Sequence, residues 1–202
     1  MYSKKKIIEL FDLTKKQTQK IDNYLKEIQI YNSHTNIVGR STMDNAWNRH
    51  VLDSLQLSKY IKNTNSSVID LGTGAGIPGL MLSIVNYKNV TLIDSSSKKI
   101  NFINKTIPKL NIKAKTYLQR IESLKNKKYD FLISRALSNL SKLFFYSQFF
   151  IKKNTVLVFL KGKNVKDEIN NAQKIWSFDC KKHVSLSNKE GRVLVISNLR
   201  KL

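Results

Sequence analysis

The sequence predicts an α/β fold whose core is a mostly parallel sheet covered by helices on both faces. Three observations predict it. From residue 67 onward, short apolar runs alternate with amphipathic stretches, the rhythm of a parallel sheet with crossover helices. The first run, "SVIDL", leads straight into "GTGAGIPG", which holds four of the chain's seven glycines (Gly72, Gly74, Gly76 and Gly79) and marks a tight strand-to-helix turn. The chain closes on "KHVSL" and "RVLVISNL", two β-rich runs joined by "SNKEG", which favours a hairpin and one antiparallel strand.

Ahead of the sheet, Thr14 and Gln17 make a capping-box pattern, and Ile21, Tyr24, Leu25, Ile28 and Tyr31 recur at helical spacing. They predict a helix over residues 14–31, preceded by a shorter one from Lys4 to Leu13. "YNSHTNIVGRST" is polar and reads as a loop. Met43, Trp47, Val51 and Leu55 form one stripe, which predicts a single helix near residues 42–60. "VTLIDS" is the second strand, followed by a helix through "SKKINFINKTIPKL". "AKTYLQ", "YDFLISRA" and "TVLVFLKG" are further strands, with a helix through "NLSKLFFYSQFFI" between the last two. A helix from Val165 to Trp176 leads into the closing hairpin. Residues 1–62 thus read as a helical extension packed on a core of residues 63–202.

At 202 residues and 41% hydrophobic content, the chain suits one domain with a real core. No apolar run approaches the ~20 residues that span a bilayer, and a cytoplasmic monomer is expected. Cys180 is the only cysteine, which excludes an internal disulfide and a cysteine-rich metal site. His34 and His183 lack metal-ligand spacing, so no metal is expected. The 36 basic residues outnumber the 14 acidic ones by 22, and lysines recur in pairs such as Lys98-Lys99 and Lys181-Lys182. The chain is rich in Lys, Asn and Ile throughout, so background composition adds to this excess. Charge of this size still favours a polyanionic partner, nucleic acid first.

Two kinds of nucleotide-like ligand suit a glycine turn after the first strand. "GTGAGIPG" satisfies the dinucleotide pattern only roughly. Asp70 stands two residues before Gly72, where a carboxylate would repel an arriving pyrophosphate. It suits a ligand with cationic groups, and S-adenosyl-L-methionine carries an ammonium and a sulfonium. Asp70 has a second reading, as the cap of a turn. Pro78 removes a backbone donor where a phosphate would want one. Asp94, 22 residues after Gly72, can accept both ribose hydroxyls of an adenosine, which fits either ligand. Asp70, Gly72, Gly74 and Asp94 are therefore the candidate donor-binding residues.

The run "DLGTGAGIPG" resembles the first motif of class I methyltransferases. With "NRHVLDSL" upstream, it is similar to the GidB/RsmG family of bacterial small-subunit ribosomal RNA guanine-N(7)-methyltransferases. "YNSHTNIVG", "LIDSSSKKINFI", "QRIESL", "FLISRAL", "FLKGK" and "GRVLVISN" follow in the family's order. One departure is "TNIVG", where the family more often reads Asn-Leu-Thr. The resemblance implies a Rossmann-like class I methyltransferase fold with a seven-stranded sheet. It also implies a donor pocket using the Gly72 backbone, Ile77, Ile121, Glu122 and Arg135, with Asp94 at the ribose.

Guanine N7 has a free lone pair, so its methylation needs no general base; alignment alone can supply ~7–11 kcal/mol. Cys180 lies late, before the hairpin, away from where a cytosine-methylating thiol would act. "SRAL" stands where amino-group methyltransferases carry an Asn/Asp-Pro-Pro-aromatic run. Arg135 and Lys161 are the candidates to position RNA at the reaction centre, and Arg135 can equally serve the donor. Arg120 and Lys163 at strand ends, with Asn36 and Arg40 from the N-terminal loop, are further RNA candidates. His50, Asp53 and Ser54 share one helix face at i, i+3 and i+4, a spacing that suits a packed polar brace rather than a hydrolytic relay. The expected substrate is a guanine of 16S ribosomal RNA, free or in the 30S particle. Methylation of another RNA site or a small molecule, an NAD-dependent oxidoreductase, and a non-catalytic RNA-binding protein stay open on sequence alone.

Overall fold

The computed structural model describes residues 1–124 and 127–202. Five strands, β1 (Ser67–Leu71), β2 (Asn89–Asp94), β3 (Lys115–Leu118), β4 (Phe131–Arg135) and β5 (Val156–Lys161), run parallel. β6 (Trp176–Val184) and β7 (Arg192–Lys201) form the closing hairpin, and β7 lies antiparallel between β5 and β6. The seven strands take the order β3-β2-β1-β4-β5-β7-β6. The order reverses between β1 and β4, which opens a crevice at the carboxyl ends of those strands.

Both sheet faces are covered, which is why the central strands are apolar without alternation. Val68 of β1 points into one layer, with Ile7, Tyr24, Leu52, Leu80 and Phe102. Ile69 and Leu71 point into the other, with Phe144, Phe150, Phe159 and Trp176. The first layer is built by α1 (Lys4–Leu10), α2 (Lys15–Asn32), α4 (Gly79–Ile84) and α5 (Ser97–Lys109), the second by α6 (Leu140–Ser147) and α7 (Val165–Gln173). The capping box is formed as expected: Gln17 N–H donates to Thr14 Oγ1, and Thr14 N–H donates to the Gln17 side chain. Buried Tyr24 of α2 donates its hydroxyl to the Ala75 carbonyl, so the extension supports the glycine turn directly.

Two sequence expectations are corrected. The single helix near residues 42–60 is broken into a 3₁₀ turn at Arg40–Thr42, a π turn at Trp47–Leu52, the short α3 (Asp53–Leu55) and a 3₁₀ turn at Gln56–Lys59. Asn48, His50, Ser54 and Gln56 are buried polar residues on this segment, and each finds a hydrogen-bond partner, Asn48 at the Tyr2 carbonyl and Gln56 at Ser185, so tertiary contacts override an unbroken helix here. Ser54 donates to the His50 carbonyl at 2.6 Å. Strand β6 also begins at Trp176, earlier than expected, so Cys180 lies inside it opposite Ile196. As an edge strand it carries Asp179, Lys181 and Lys182, charges that blur the period-two signal while discouraging edge pairing.

Candidate functional site

The crevice between the ends of β1 and β4 holds a cavity of about 760 Å³. A small ligand of nucleoside size fits a space of that order. Its floor is the glycine turn, whose shape follows from Asp70. Asp70 is fully buried beneath the turn. One carboxylate oxygen accepts from Thr73 Oγ1 at 2.6 Å and from Gly79 N at 2.9 Å, joining the start of the turn to the start of α4. Burial raises its pKa to about 6 against the pull of those two hydrogen bonds. Asp70 is absent from the cavity wall, which corrects the expectation that it faces the ligand: it ties the turn. Because Gly79 N is taken by Asp70 and Pro78 has no N–H, the helix start offers little to a phosphate.

Gly72 and Gly74 both hold positive φ, at 67° and 61°, a region that favours glycine. Their surroundings differ. A Cβ on Gly72 would sit 2.4 Å from Leu137 Cδ1, whereas one on Gly74 would meet nothing within 4 Å. Gly74 therefore leaves a cradle open to the cavity. Beside it, Asp94 at the end of β2 accepts from Gly74 N at 2.9 Å through one oxygen and from Ser96 N at 2.9 Å through the other. Lys99 Nζ stands 3.7 Å away. Each Asp94 oxygen keeps a lone pair for a hydroxyl donor, and the residue lines the cavity. Ile77 and the turn Ile121–Ser123 after β3 complete that wall, with Ile121 buried and Glu122 exposed.

The opposite wall is organised around Arg135 at the end of β4. Its guanidinium donates to the Arg49 carbonyl at 2.7 Å and to Asp53 Oδ2 at 3.2 Å, and lies 3.1 Å from His50 Nδ1. Asp53 Oδ1 accepts from Ser187 Oγ at 2.7 Å and from Gln56 Nε2 at 3.0 Å. His50 Nε2 contacts Thr42 Oγ1 at 2.9 Å. Burial, together with Arg135 and Arg49, pushes the His50 pKa down to about 3, so the ring is neutral. This network joins the N-terminal loop, β4 and the β6–β7 connection around one rim, which makes the His50–Asp53 face the expected brace. Lys161 is likewise engaged: it donates to the Ser138 carbonyl at 2.7 Å and pairs with Glu168 at 2.6 Å, its side chain 8% exposed. Its ammonium holds the β4–α6 loop in place.

The cavity brings together Gly72, Gly74, Ile77, Asp94, Arg120, Ile121, Glu122, Arg135 and Lys161 of the sequence candidates. Asn36, Arg40 and Lys163 lie outside its wall. Asn36 and Arg40 are exposed on either side of Ile37–Gly39, which do line it, and exposed Lys163 follows Gly162, which also does. Sequence reasoning missed Thr42, Tyr146, Ser187 and Asn188, whose membership depends on distant segments meeting. Among the described residues, no three His, Cys, Asp or Glu side chains cluster to hold a metal ion, and no helix is long and apolar enough to cross a membrane.

Comparison with known proteins places this architecture. The family model for GidB, described as rRNA small subunit methyltransferase G, matches residues 17–195. Ribosomal RNA small subunit methyltransferase G of Rickettsia prowazekii (strain Madrid E) is 38% identical over 184 residues, covering 91% of this chain and 95% of that protein. The protein of the same name from Rickettsia felis is 35% identical over 193 residues, covering 96% and 100%. Among solved structures, ribosomal protein L11 methylase of Lactobacillus delbrueckii subsp. bulgaricus matches with a TM-score of 0.59 at 18% identity, over 72% of this chain and 76% of that one. A putative S-adenosyl-L-methionine-dependent methyltransferase of Methanococcus maripaludis matches with a TM-score of 0.58 at 14% identity, over 78% and 90%. These likenesses give the fold, that of class I methyltransferases, as the resemblance of "DLGTGAGIPG" to their first motif implies. The family match spans most of the chain, and the chain belongs to the GidB family, rRNA small subunit methyltransferase G.

Proposed function

We propose that this protein transfers a methyl group from S-adenosyl-L-methionine to N7 of a guanine in 16S ribosomal RNA. The observation that carries the reading is the pairing of Asp94 with Gly74 on the cavity floor. There a carboxylate with free lone pairs stands beside a glycine whose missing Cβ leaves room for a ligand. This arrangement fits an adenosine with ribose hydroxyls at Asp94 and its methionine end over the Gly72–Gly74 backbone. Ile77 and Ile121 supply apolar contact, and Glu122 stands at the polar rim. When bound, S-adenosyl-L-methionine supplies an electrophilic methyl on a sulfonium.

The protein's own residues need only bind, orient and exclude water. Guanine N7 presents a lone pair at neutral pH, so no side chain has to remove a proton. The groups that line the cavity match that requirement: neutral His50 is held between Arg135 and Thr42, and Asp53 is held by Arg135, Ser187 and Gln56. Arg135 fixes the wall facing the donor, and Lys161 fixes the adjoining β4–α6 loop. Exposed Arg120, Lys163 and Arg40 attract RNA phosphates to the mouth, and exposed Asn36 offers an amide donor to the same backbone. On this reading residues 1–62 are an extension that braces the turn and part of the rim. The protein acts as a cytoplasmic monomer on small-subunit RNA or the 30S particle, without a metal. Incubating it with undermethylated small subunits and labelled donor should place label in the RNA; no incorporation would refute the reading.

A further inference from the structure

Helix α6 has one face in the core and a second that is aromatic where a solvent-facing stripe is ordinarily polar. Leu140, Leu143, Phe144 and Ser147 are buried. On the other side Lys142, Phe145 and Tyr146 share a face at i, i+3 and i+4, and Phe149 follows in the turn just past the helix end. Phe145 is 48% exposed. Its ring lies 5.7 Å from Phe149 at 88° and 6.0 Å from Tyr146 at 58°. Tyr146 and Phe149 are half-buried against the core, so they hold Phe145 as an open ring, and an exposed apolar feature of this kind marks a contact site.

We propose that this stripe is a stacking platform for unpaired RNA bases beside the target guanine, an inference that rests on the proposed function. Continuity with the cavity is the first argument: Tyr146 is itself part of the cavity wall, and the two phenylalanines extend from it. Charge is the second. Lys142 Nζ stands 5.8 Å from the centre of the Tyr146 ring, and Lys128 Nζ donates to the Phe149 carbonyl at 3.3 Å. From Phe131 to Lys166 the chain has no acidic residue. Aromatic faces interleaved with cations suit single-stranded nucleic acid, because every base has a π face and every nucleotide a phosphate. A duplex keeps its bases stacked on each other and cannot use such a platform.

The test compares the full-length protein with Phe145→Ala, Phe145→Leu and Phe145→Trp. Phe145 is largely exposed, and each variant's donor affinity, measured by titration with S-adenosyl-L-methionine, should equal that of the wild type. Binding of an unstructured oligoribonucleotide should fall about fivefold or more in Phe145→Ala and Phe145→Leu, and kcat/KM on small subunits should fall with it. Phe145→Trp should restore both, and its added emission should be quenched by the single strand and not by the matching duplex. Equal binding by wild type and Phe145→Ala would overturn the proposal. So would equal quenching by the duplex, or a wild-type dimer that Phe145→Ala dissociates in sedimentation, which would make the stripe a self-contact. If the wild type transfers no methyl yet quenching and selective binding persist, the proposed function falls and the platform stands.

Discussion

Arg135 and Asp53, 82 positions apart in the chain, meet at 3.2 Å and close the cavity rim between β4 and the N-terminal segment. Their side chains are 20% and 17% exposed. Asp53 also holds Ser187 and Gln56, so it joins three parts of the chain at one carboxylate. Replacing Asp53 with Ala leaves a mostly buried guanidinium without its anion. The expected cost is about 1–3 kcal/mol, read as a fall in Tm of about 2–4 °C per kcal/mol. Release of the Arg135 wall should lower kcat/KM for methyl transfer by up to about a hundredfold. Asp53→Asn should lose less of both, since it keeps an acceptor for Arg135.

Asp94→Ala should weaken S-adenosyl-L-methionine binding about 10- to 100-fold, the range of a hydrogen bond or two to a charged acceptor. The variant also frees Gly74 N, so part of the loss is in the turn. Asp94→Asn keeps the acceptor to Gly74 and should fall between. Calorimetric titration of the three proteins checks the order, and unchanged affinity in the alanine variant would remove the ribose role.

Gly72→Ala and Gly74→Ala should fail in different ways. Both force a side chain into positive φ, a strain of about 1–2 kcal/mol. Gly72→Ala in addition drives its Cβ against Leu137, so its main effect should be a lower Tm. Gly74→Ala has space, and the space is the cavity, so its main effect should be at least a tenfold loss of donor affinity with a smaller loss of stability. Thermal denaturation and donor titration on both variants separate the two.

Acid should weaken the brace through His50. Its folded-state pKa of about 3 lies below the ordinary 6.5, so the unfolded chain takes up the proton first as pH falls. The stability contributed by the neutral ring is full above about pH 6.5 and is lost as the pH drops toward about 3. Asp70, raised to about 6, works the other way, its contribution being lost as pH rises through that value. A comparison with His50→Gln cancels Asp70, which both proteins share. The Tm advantage of wild type over His50→Gln should shrink steadily on acidification below about pH 6.5; a constant difference would contradict the buried neutral ring.

Much of the fold is legible in the sequence because its signals are local. Alternating runs, the glycine turn, the Thr14–Gln17 box and the "SNKEG" connection each sit within a few residues of the element they specify. Asp94 was readable as well, since its distance from Gly72 is set by one strand-helix-strand unit. The breaks within residues 42–60 were not readable. A stripe of four residues spaced about four apart marks a helical segment without revealing short 3₁₀ or π turns inside it, and the buried partners on this stretch, such as Asn48 with the Tyr2 carbonyl, lie far off in the chain. The rim was hidden for a related reason. Gln56 meets Ser185 and Arg135 meets His50 across 129 and 85 positions, contacts that only the assembled sheet creates. Asp70 is legible as a residue that matters, but sequence leaves both its readings open, ligand partner and turn cap, because it cannot show on which side of a turn a carboxylate lies.

The central claim is most directly tested by the identity of the methylated base. Small subunits lacking the modification, incubated with the protein and S-adenosyl-L-methionine, then digested and analysed by mass spectrometry, should yield 7-methylguanosine in 16S ribosomal RNA, and should form it about 10- to 100-fold more slowly with Asp94→Ala at the same low donor concentration. Methylation of any other atom or base, or none with the wild-type protein, would contradict it.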